Sequence, residues 1–155
     1  MRRYKIGQKK FEGTVNVTDP CYNKDVWCRM DISIKPGLYD CIIWRQMEKV
    51  QMYNETVTYK QVGVIGIYLD GHIPNSKKMK LVGNIGVDAG LAGFFNDKPD
   101  YNDDQWNEIC NLIHSGDAWI TDDGFFSFSG WGDGCYNVYA YTENNDVTAL
   151  EIRFM

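Results

Sequence analysis

A chain of 155 residues is long enough for one domain with a hydrophobic core and short for two, so we expect a single globular domain over residues 1–155. The net charge of −5 argues against general nucleic-acid binding, because phosphate contacts need a basic surface. The longest apolar run, Val62 to Leu69, is too short to span a bilayer, and the polar start of the chain does not resemble a signal peptide. The sequence therefore predicts a cytoplasmic protein with no membrane partner.

The beginning of the chain contains one clear strand pattern. Basic residues dominate the first ten positions, which we interpret as a solvated N-terminal arm. Residues 14–18 alternate polar and apolar side chains and are predicted to form a strand that Asp19 and Pro20 end. We expect Asp19 to cap the loop that follows through its carboxylate, and the alternative is a role as a functional acid.

The next strands are separated by turn signals. Residues 30–34 and 38–44 are predicted to pair with each other, because residues 35–38 read Lys-Pro-Gly-Leu and fit a type II turn. Residues 57–69 form one long strand or two, rich in β-branched and aromatic side chains, and residues 81–87 form another. Short strands bounded by turns are typical of an all-β domain.

One segment, at about residues 103–115, has the pattern of a helix. Its apolar stripe consists of Trp106, Ile109, Cys110 and Ile113. Asn102 and Gln105 fit a capping pair at its start, and Gly116 is placed to end it. With strands also predicted at 136–141 and 147–154, the fold is expected to be mainly β: an antiparallel β-sandwich or open barrel with the helix packed on one face.

The cysteines are odd in number and follow no zinc-binding spacing. They are Cys21, Cys28, Cys41, Cys110 and Cys135. In a reducing compartment we expect free and mostly buried thiols, with no metal and no other cofactor.

A glycine-rich stretch at residues 129–136 is the most unusual part of the sequence. Its glycines alternate at Gly130, Gly132 and Gly134, which predicts at least one positive φ angle and places Asp133 at an exposed strand end. Asp19 and Asp88 also stand at predicted strand ends. If these three aspartates converge, they could hold a divalent ion or act as paired acids, whereas turn chemistry explains each of them separately.

Three motifs together resemble a known group of proteins. They are residues 19–22 (DPCY) followed by Trp27-Cys28, residues 86–90 (GVDAG) followed by 93–95 (GFF), and residues 129–136 (SGWGDGCY) followed by Val138-Tyr139. In this order they resemble a family of small uncharacterised proteins of Gram-positive bacteria and their phages. The chain departs from the family at Ala89 and Leu91, where members often have Ser and Gln. The resemblance implies one intact domain and a phage or prophage setting, and it implies no activity.

The sequence contains no nucleophile–base pair, Gly-x-Ser-x-Gly motif or P-loop. The leading hypothesis is therefore a non-enzymatic binding protein, a phage- or prophage-derived factor acting on an unknown host protein. One alternative is a metal-dependent or acid–base hydrolase that uses Asp19, Asp88 and Asp133. Another is a carbohydrate or nucleotide binder in which Trp131 and Tyr136 serve as stacking platforms. The candidate ligand-binding residues are thus Asp19, Asp88, Trp131, Asp133 and Tyr136.

Overall fold

The computed structural model describes all 155 residues, which form eleven strands and one α-helix. The strands are β1 Arg2–Phe11, β2 Thr14–Thr18, β3 Met30–Ser33, β4 Gly37–Met52, β5 Glu55–Leu69, β6 Lys80–Val87, β7 Leu91–Asn96, β8 Ala118–Ile120, β9 Gly124–Phe128, β10 Gly134–Glu143 and β11 Asp146–Arg153. The α-helix, α1, is Asp103–Leu112, and a 3-10 helix covers Ser76–Lys78. One sheet has the order β1-β4-β5-β11-β10-β6 and the other β3-β2-β7-β9-β8, with every pair antiparallel. The predicted class, mainly β with one helix, is confirmed in its sandwich form.

The main hydrophobic core lies between the two sheets, and it follows from the alternation along each strand. In β2, Val15 and Val17 are fully buried in this core, whereas Asn16 between them points to the outer face of its sheet. Phe94 of β7 and Phe125 of β9 are cross-strand partners, and both are buried in the same core. Packing of two sheets through their inner faces is therefore the principal source of stability.

The helix covers a second, smaller core on the outer face of the five-stranded sheet. Phe95 and Phe126 follow the two inward phenylalanines in sequence and so point outward, where they pack with Ile109 of α1. The predicted capping box is confirmed: Asn102 Oδ1 accepts from Gln105 N at 2.9 Å, and Gln105 Oε1 accepts from Asn102 N at 3.0 Å. The helix ends at Leu112, three residues earlier than predicted. None of the helices is long and apolar enough to cross a membrane.

The basic N-terminal segment is a strand, so its interpretation as a solvated arm is wrong. Residues 2–11 form β1, an edge strand that pairs with β4. Tyr4 and Ile6 pack against the main core, whereas Lys5 and Lys10 are exposed. Charged side chains on an edge strand discourage pairing with other chains. In this sequence they also obscure the pattern of apolar residues from which a strand would be predicted.

The predicted turn at residues 35–38 is also wrong, because β3 and β4 belong to different sheets. Ile34 and Tyr39 on either side are both buried in the main core, so the chain crosses from one sheet to the other at this point. Lys35 N donates to Val147 O at 2.9 Å, and Tyr39 Oη donates to Lys35 O at 2.6 Å. The Pro-Gly pair is compatible with a turn, but the burial of Ile34 and Tyr39 in the main core determines the path of the chain.

Strands β4 and β5 continue beyond the sandwich as a two-stranded ribbon, residues 46–61, which we call the arm. Strand β1 accompanies β4 only as far as Arg45, and β11 accompanies β5 only from Val64. Most side chains of the arm are exposed, and Tyr53 at its tip is 97% exposed. The sequence predicts a strand for residues 57–61 of the arm but not for residues 46–56, because the arm buries neither face and so carries no strong hydrophobic alternation.

Candidate functional site

Asp19 is fully buried, and its carboxylate joins two of the three motifs. Oδ1 accepts from Cys21 N at 2.9 Å, and Oδ2 accepts from Asp88 N at 2.9 Å and Ala89 N at 2.7 Å. Hydrogen bonds to an ionised acceptor are about twice as strong as neutral ones. Asp19 therefore caps its own loop, as predicted, and also fixes the loop after β6, which the sequence did not indicate.

The glycine-rich loop of the third motif lies against the same loop. Ser129 N donates to Gly90 O at 3.0 Å, and a Cβ on Gly90 would lie 4.0 Å from the Cα of Gly132. Ser129 Oγ and Tyr136 Oη each donate to Gly132 O at 2.7 Å, which holds the turn closed. The φ angles of Gly130 and Gly132 are +63° and +106°, so the predicted positive φ is confirmed.

The rest of the first motif meets β6 at Gly86. Gly86 N donates to Cys28 O at 2.9 Å, and a Cβ on Gly86 would lie 3.0 Å from Cys28 Sγ. The segment 86–90 is thus bonded at one end to residue 28, in its middle to residue 19, and at its other end to residue 129. We call residues 19–28, 86–90 and 129–136 together the motif junction.

Two tryptophans project from the motif junction into solvent. Trp27 is 90% exposed and precedes Cys28, whereas Trp131 is 66% exposed and lies at the tip of the glycine-rich loop. Their loops are attached to opposite ends of segment 86–90, which at full extension spans about 15 Å. Each of these exposed tryptophans therefore stands on a loop whose backbone is anchored to segment 86–90. Trp27 belongs to the first motif, but nothing in the sequence indicates that its side chain is exposed.

The structure does not assemble the three predicted aspartates into an ion-binding or acid–base cluster. Asp19 is buried with both carboxylate oxygens occupied by backbone amides, so the expectation that it joins a ligand-binding site is wrong. Asp88 and Asp133 are exposed, as predicted for Asp133. Asp88 contacts Asp19 through its backbone N–H, which donates to the Asp19 carboxylate, and not through its own carboxylate. Among all residues of the chain, no group of three His, Cys, Asp or Glu side chains could hold a metal ion.

Trp131 and Tyr136 do not form a pair of open stacking platforms. Tyr136 is half-buried, its ring packs edge to face on Phe154 at a centroid distance of 5.0 Å, and its hydroxyl is bonded to Gly132 O. Burial raises the pKa of Tyr136, so the phenol stays neutral near pH 7. Tyr136 thus supports the loop, and Trp131 alone offers an open ring.

The thiols are free, but the prediction that they are mostly buried is wrong. Only Cys41 is buried, Cys135 is exposed, and the other three are half-buried. Cys135 lies on the outward face of β10, and its cross-strand partner is Gly86. Because glycine has no side chain, this partner does not cover the Cys135 thiol. At the junction, burial and the neighbouring Asp19 carboxylate raise the pKa of Cys21, so this thiol remains protonated and is a poor nucleophile.

No family model, curated protein or solved structure matches the chain. A surface pocket beside β10 is lined by Cys135 and Tyr136 of the motif junction, whereas Asp19, Asp88, Trp131 and Asp133 line none of the main surface pockets. The motif junction therefore offers exposed side chains on fixed loops, an arrangement suited to contact with a macromolecule.

Proposed function

We propose that the protein is a non-enzymatic binding protein that engages another protein through the motif junction. The observation that carries this proposal is the exposure of Trp27 and Trp131 on two loops bonded to one segment, residues 86–90. Tryptophan is the residue most enriched in the energetic centres of protein interfaces.

The anchoring of the loops favours binding, because fixed side chains lose little conformational entropy on contact. The Asp19 carboxylate and the Ser129–Gly90 bond hold the loops before any partner arrives. Covering one tryptophan removes about 200 Å² from water, a gross contribution of about 5 kcal/mol before association costs. Truncating either tryptophan should therefore weaken binding by about 2 kcal/mol or more, which is about 30-fold in Kd.

Charge indicates the chemistry of the partner. Asp88 and Asp133 are exposed at the junction, and the whole chain carries a net charge of −5. Complementary potentials accelerate association and reject wrong partners. The proposal is accordingly that the partner presents an apolar recess with a basic rim, and the family resemblance suggests a host protein as partner of a phage- or prophage-derived factor.

The two alternative functions receive less support. A hydrolase that uses Asp19, Asp88 and Asp133 would need the Asp19 carboxylate, which is occupied by three backbone amides. A carbohydrate or nucleotide binder retains one favourable observation, the exposed ring of Trp131. Quenching of tryptophan fluorescence by sugars or nucleotides, lost in Trp131→Ala, would favour that second function over protein binding.

Co-purification from a Gram-positive host lysate tests the proposal. Wild-type protein, the double variant Trp27→Ala/Trp131→Ala and the control Tyr53→Ala are used as baits under identical conditions. Tyr53 is an exposed aromatic residue at the tip of the arm. We expect one partner to be retained by wild type and by Tyr53→Ala and to be lost from the double variant. Equal retention of every specific partner by the double variant would contradict the proposal.

A further inference from the structure

A polar layer covers the outer face of the five-stranded sheet where β2 meets β3. Asn16 and Asp31 are cross-strand partners, and Asn16 Nδ2 donates to Asp31 Oδ1 at 2.8 Å. Lys98 N donates to Asn16 Oδ1 at 2.7 Å, and Arg29 Nη2 donates to the same Asp31 Oδ1 at 3.3 Å. The loop of the first motif and the 97–102 segment lie above this layer and enclose two cationic side chains, Arg29 and Lys98.

Arg29 is buried without enough acceptors. Its side chain is 5% exposed, yet Nε and Nη1 have no hydrogen-bond partner. The single ion pair of this guanidinium is weak, because Asp31 Oδ1 is shared with Asn16 and the Asp31 side chain is 61% exposed. A buried guanidinium that lacks acceptors is strongly unfavourable, so the arrangement calls for an additional acceptor beside Arg29.

Lys98 adds a second positive charge to the same enclosure. It is 1% exposed, its Nζ donates to Tyr22 O at 3.1 Å and Pro99 O at 2.9 Å, and it lies 4.0 Å from the centroid of the Tyr101 ring. Burial and the nearby Arg29 guanidinium both lower the pKa of Lys98, whereas Asp100 and Asp123 act in the opposite direction. Two like charges that affect each other in an enclosed space are stabilised by an anion that faces both.

The nearby carboxylates do not supply that anion. Asp100 Oδ1 accepts from Lys24 N at 2.8 Å, and Asp123 Oδ2 accepts from Tyr101 Oη at 2.9 Å. Neither of them forms a hydrogen bond or ion pair with Arg29 or Lys98. The carboxylate nearest in sequence, Asp31, is mostly in solvent.

We propose that Arg29, with Lys98 beside it, forms an enclosed binding site for a small inorganic oxyanion of the phosphate or sulfate type. The free donors of Arg29 supply directed hydrogen bonds, and oxyanions accept such bonds from guanidinium groups with high preference. Because both side chains are almost completely covered, the proposal is limited to a compact anion, for which the enclosure would have to open less than for a large phosphomonoester. The ion would lie under the loop that carries Trp27, so its binding would also stabilise one side of the motif junction, independently of whether that surface binds a protein.

Thermal unfolding in phosphate or sulfate, compared with chloride at equal ionic strength, tests the site. At phosphate about tenfold above its Kd, the Tm of the wild type should lie about 3 to 6 °C above its value in chloride, and it should go on rising with the logarithm of the phosphate concentration. Arg29→Met should abolish this logarithmic rise, whereas Lys60→Met, which removes an exposed positive charge from the arm, should retain it. A wild-type response that is absent or linear in phosphate concentration, or a logarithmic rise in Arg29→Met, would overturn the proposal.

A second measurement does not depend on the folding of a variant. In wild-type protein, NMR of the arginine side chains should show the Arg29 Nε–H resonance moving with added phosphate along a saturation curve, and its Kd should agree with the Kd obtained from the Tm series. Glycerol 2-phosphate, a phosphomonoester too large for the enclosure, should leave that resonance in place. If the Arg29 resonance does not shift with added phosphate, water satisfies this guanidinium and the proposal fails. If it shifts equally with glycerol 2-phosphate, the site is not enclosed.

Discussion

Replacing Asp19 by Asn removes the charge at the centre of the motif junction and keeps the size of the side chain. The carboxylate accepts three backbone N–H groups, from Cys21, Asp88 and Ala89. The single amide oxygen of Asn can retain the bonds of Asp88 and Ala89, but its amino group then faces the N–H of Cys21. One buried donor loses its acceptor and meets another donor.

The expected loss of stability follows from these contacts. A hydrogen bond to a charged group is worth about 1.5 to 3 kcal/mol, so Asp19→Asn should lower the free energy of unfolding by about 2 to 3 kcal/mol. This corresponds to a fall in Tm of about 4 to 12 °C for a chain of this size. Asp19→Ala, which removes all three bonds, should cost about 4 kcal/mol.

Urea denaturation followed by tryptophan fluorescence measures these values. Asp133→Asn is the matched control, because Asp133 is exposed and should change the free energy of unfolding by less than about 0.5 kcal/mol. If Asp19→Asn unfolds within 0.5 kcal/mol of the wild type, roughly the effect of a neutral surface substitution, Asp19 does not hold the junction together.

Other perturbations test the remaining parts of the fold. Ile109→Ala should lower the free energy of unfolding by about 2 to 4 kcal/mol, because Ile109 is buried in the smaller core on the outer face of the five-stranded sheet. The exposed control Asn111→Ala should change the free energy of unfolding little. Equal melting temperatures of the two variants would mean that the helix does not dock there. Replacing residues 47–60 of the arm by a two-residue Asn-Gly turn should leave the Tm within about 2 °C of the wild type, since the arm buries little apolar surface, and a large fall would contradict its independence. Burial raises the pKa of Cys41 to about 12. The folded state keeps this thiol protonated, whereas the unfolded state releases its proton above about pH 8.5. The stability that the buried neutral thiol contributes is therefore fully present below about pH 8.5 and is lost toward pH 12, by up to about 1.4 kcal/mol per pH unit. Cys41→Ala should flatten this alkaline decline, and an unchanged slope in urea titrations would assign the decline to other groups.

Local signals in the sequence predicted the elements that depend on neighbouring residues. Strand β2 was located at its true bounds because Val15 and Val17 alternate with polar residues and Pro20 follows. The helix was located by its capping pair and apolar stripe, although Ile109 proved to be its buried anchor and Trp106 is only partly covered. Positive φ angles in the glycine-rich loop followed from the alternation of its glycines.

Contacts between distant residues could not be predicted in this way. The three motifs are separated by tens of residues, and only the fold shows that Asp19 reaches the amides of residues 88 and 89. For the same reason, the sequence suggested a carboxylate cluster where the structure has one buried acceptor and two exposed side chains. The burial of Arg29 and Lys98 was equally hidden, because surface positions are the usual expectation for both residue types.

Photo-crosslinking in cells tests the central claim, that the motif junction is the partner-binding surface, most directly. A photoreactive amino acid is placed separately at position 27, at position 131 and at position 53 on the tip of the arm, and crosslinked products are identified by mass spectrometry. The account predicts that positions 27 and 131 capture the same protein and that position 53 does not. Capture of a specific partner from position 53 alone would contradict it.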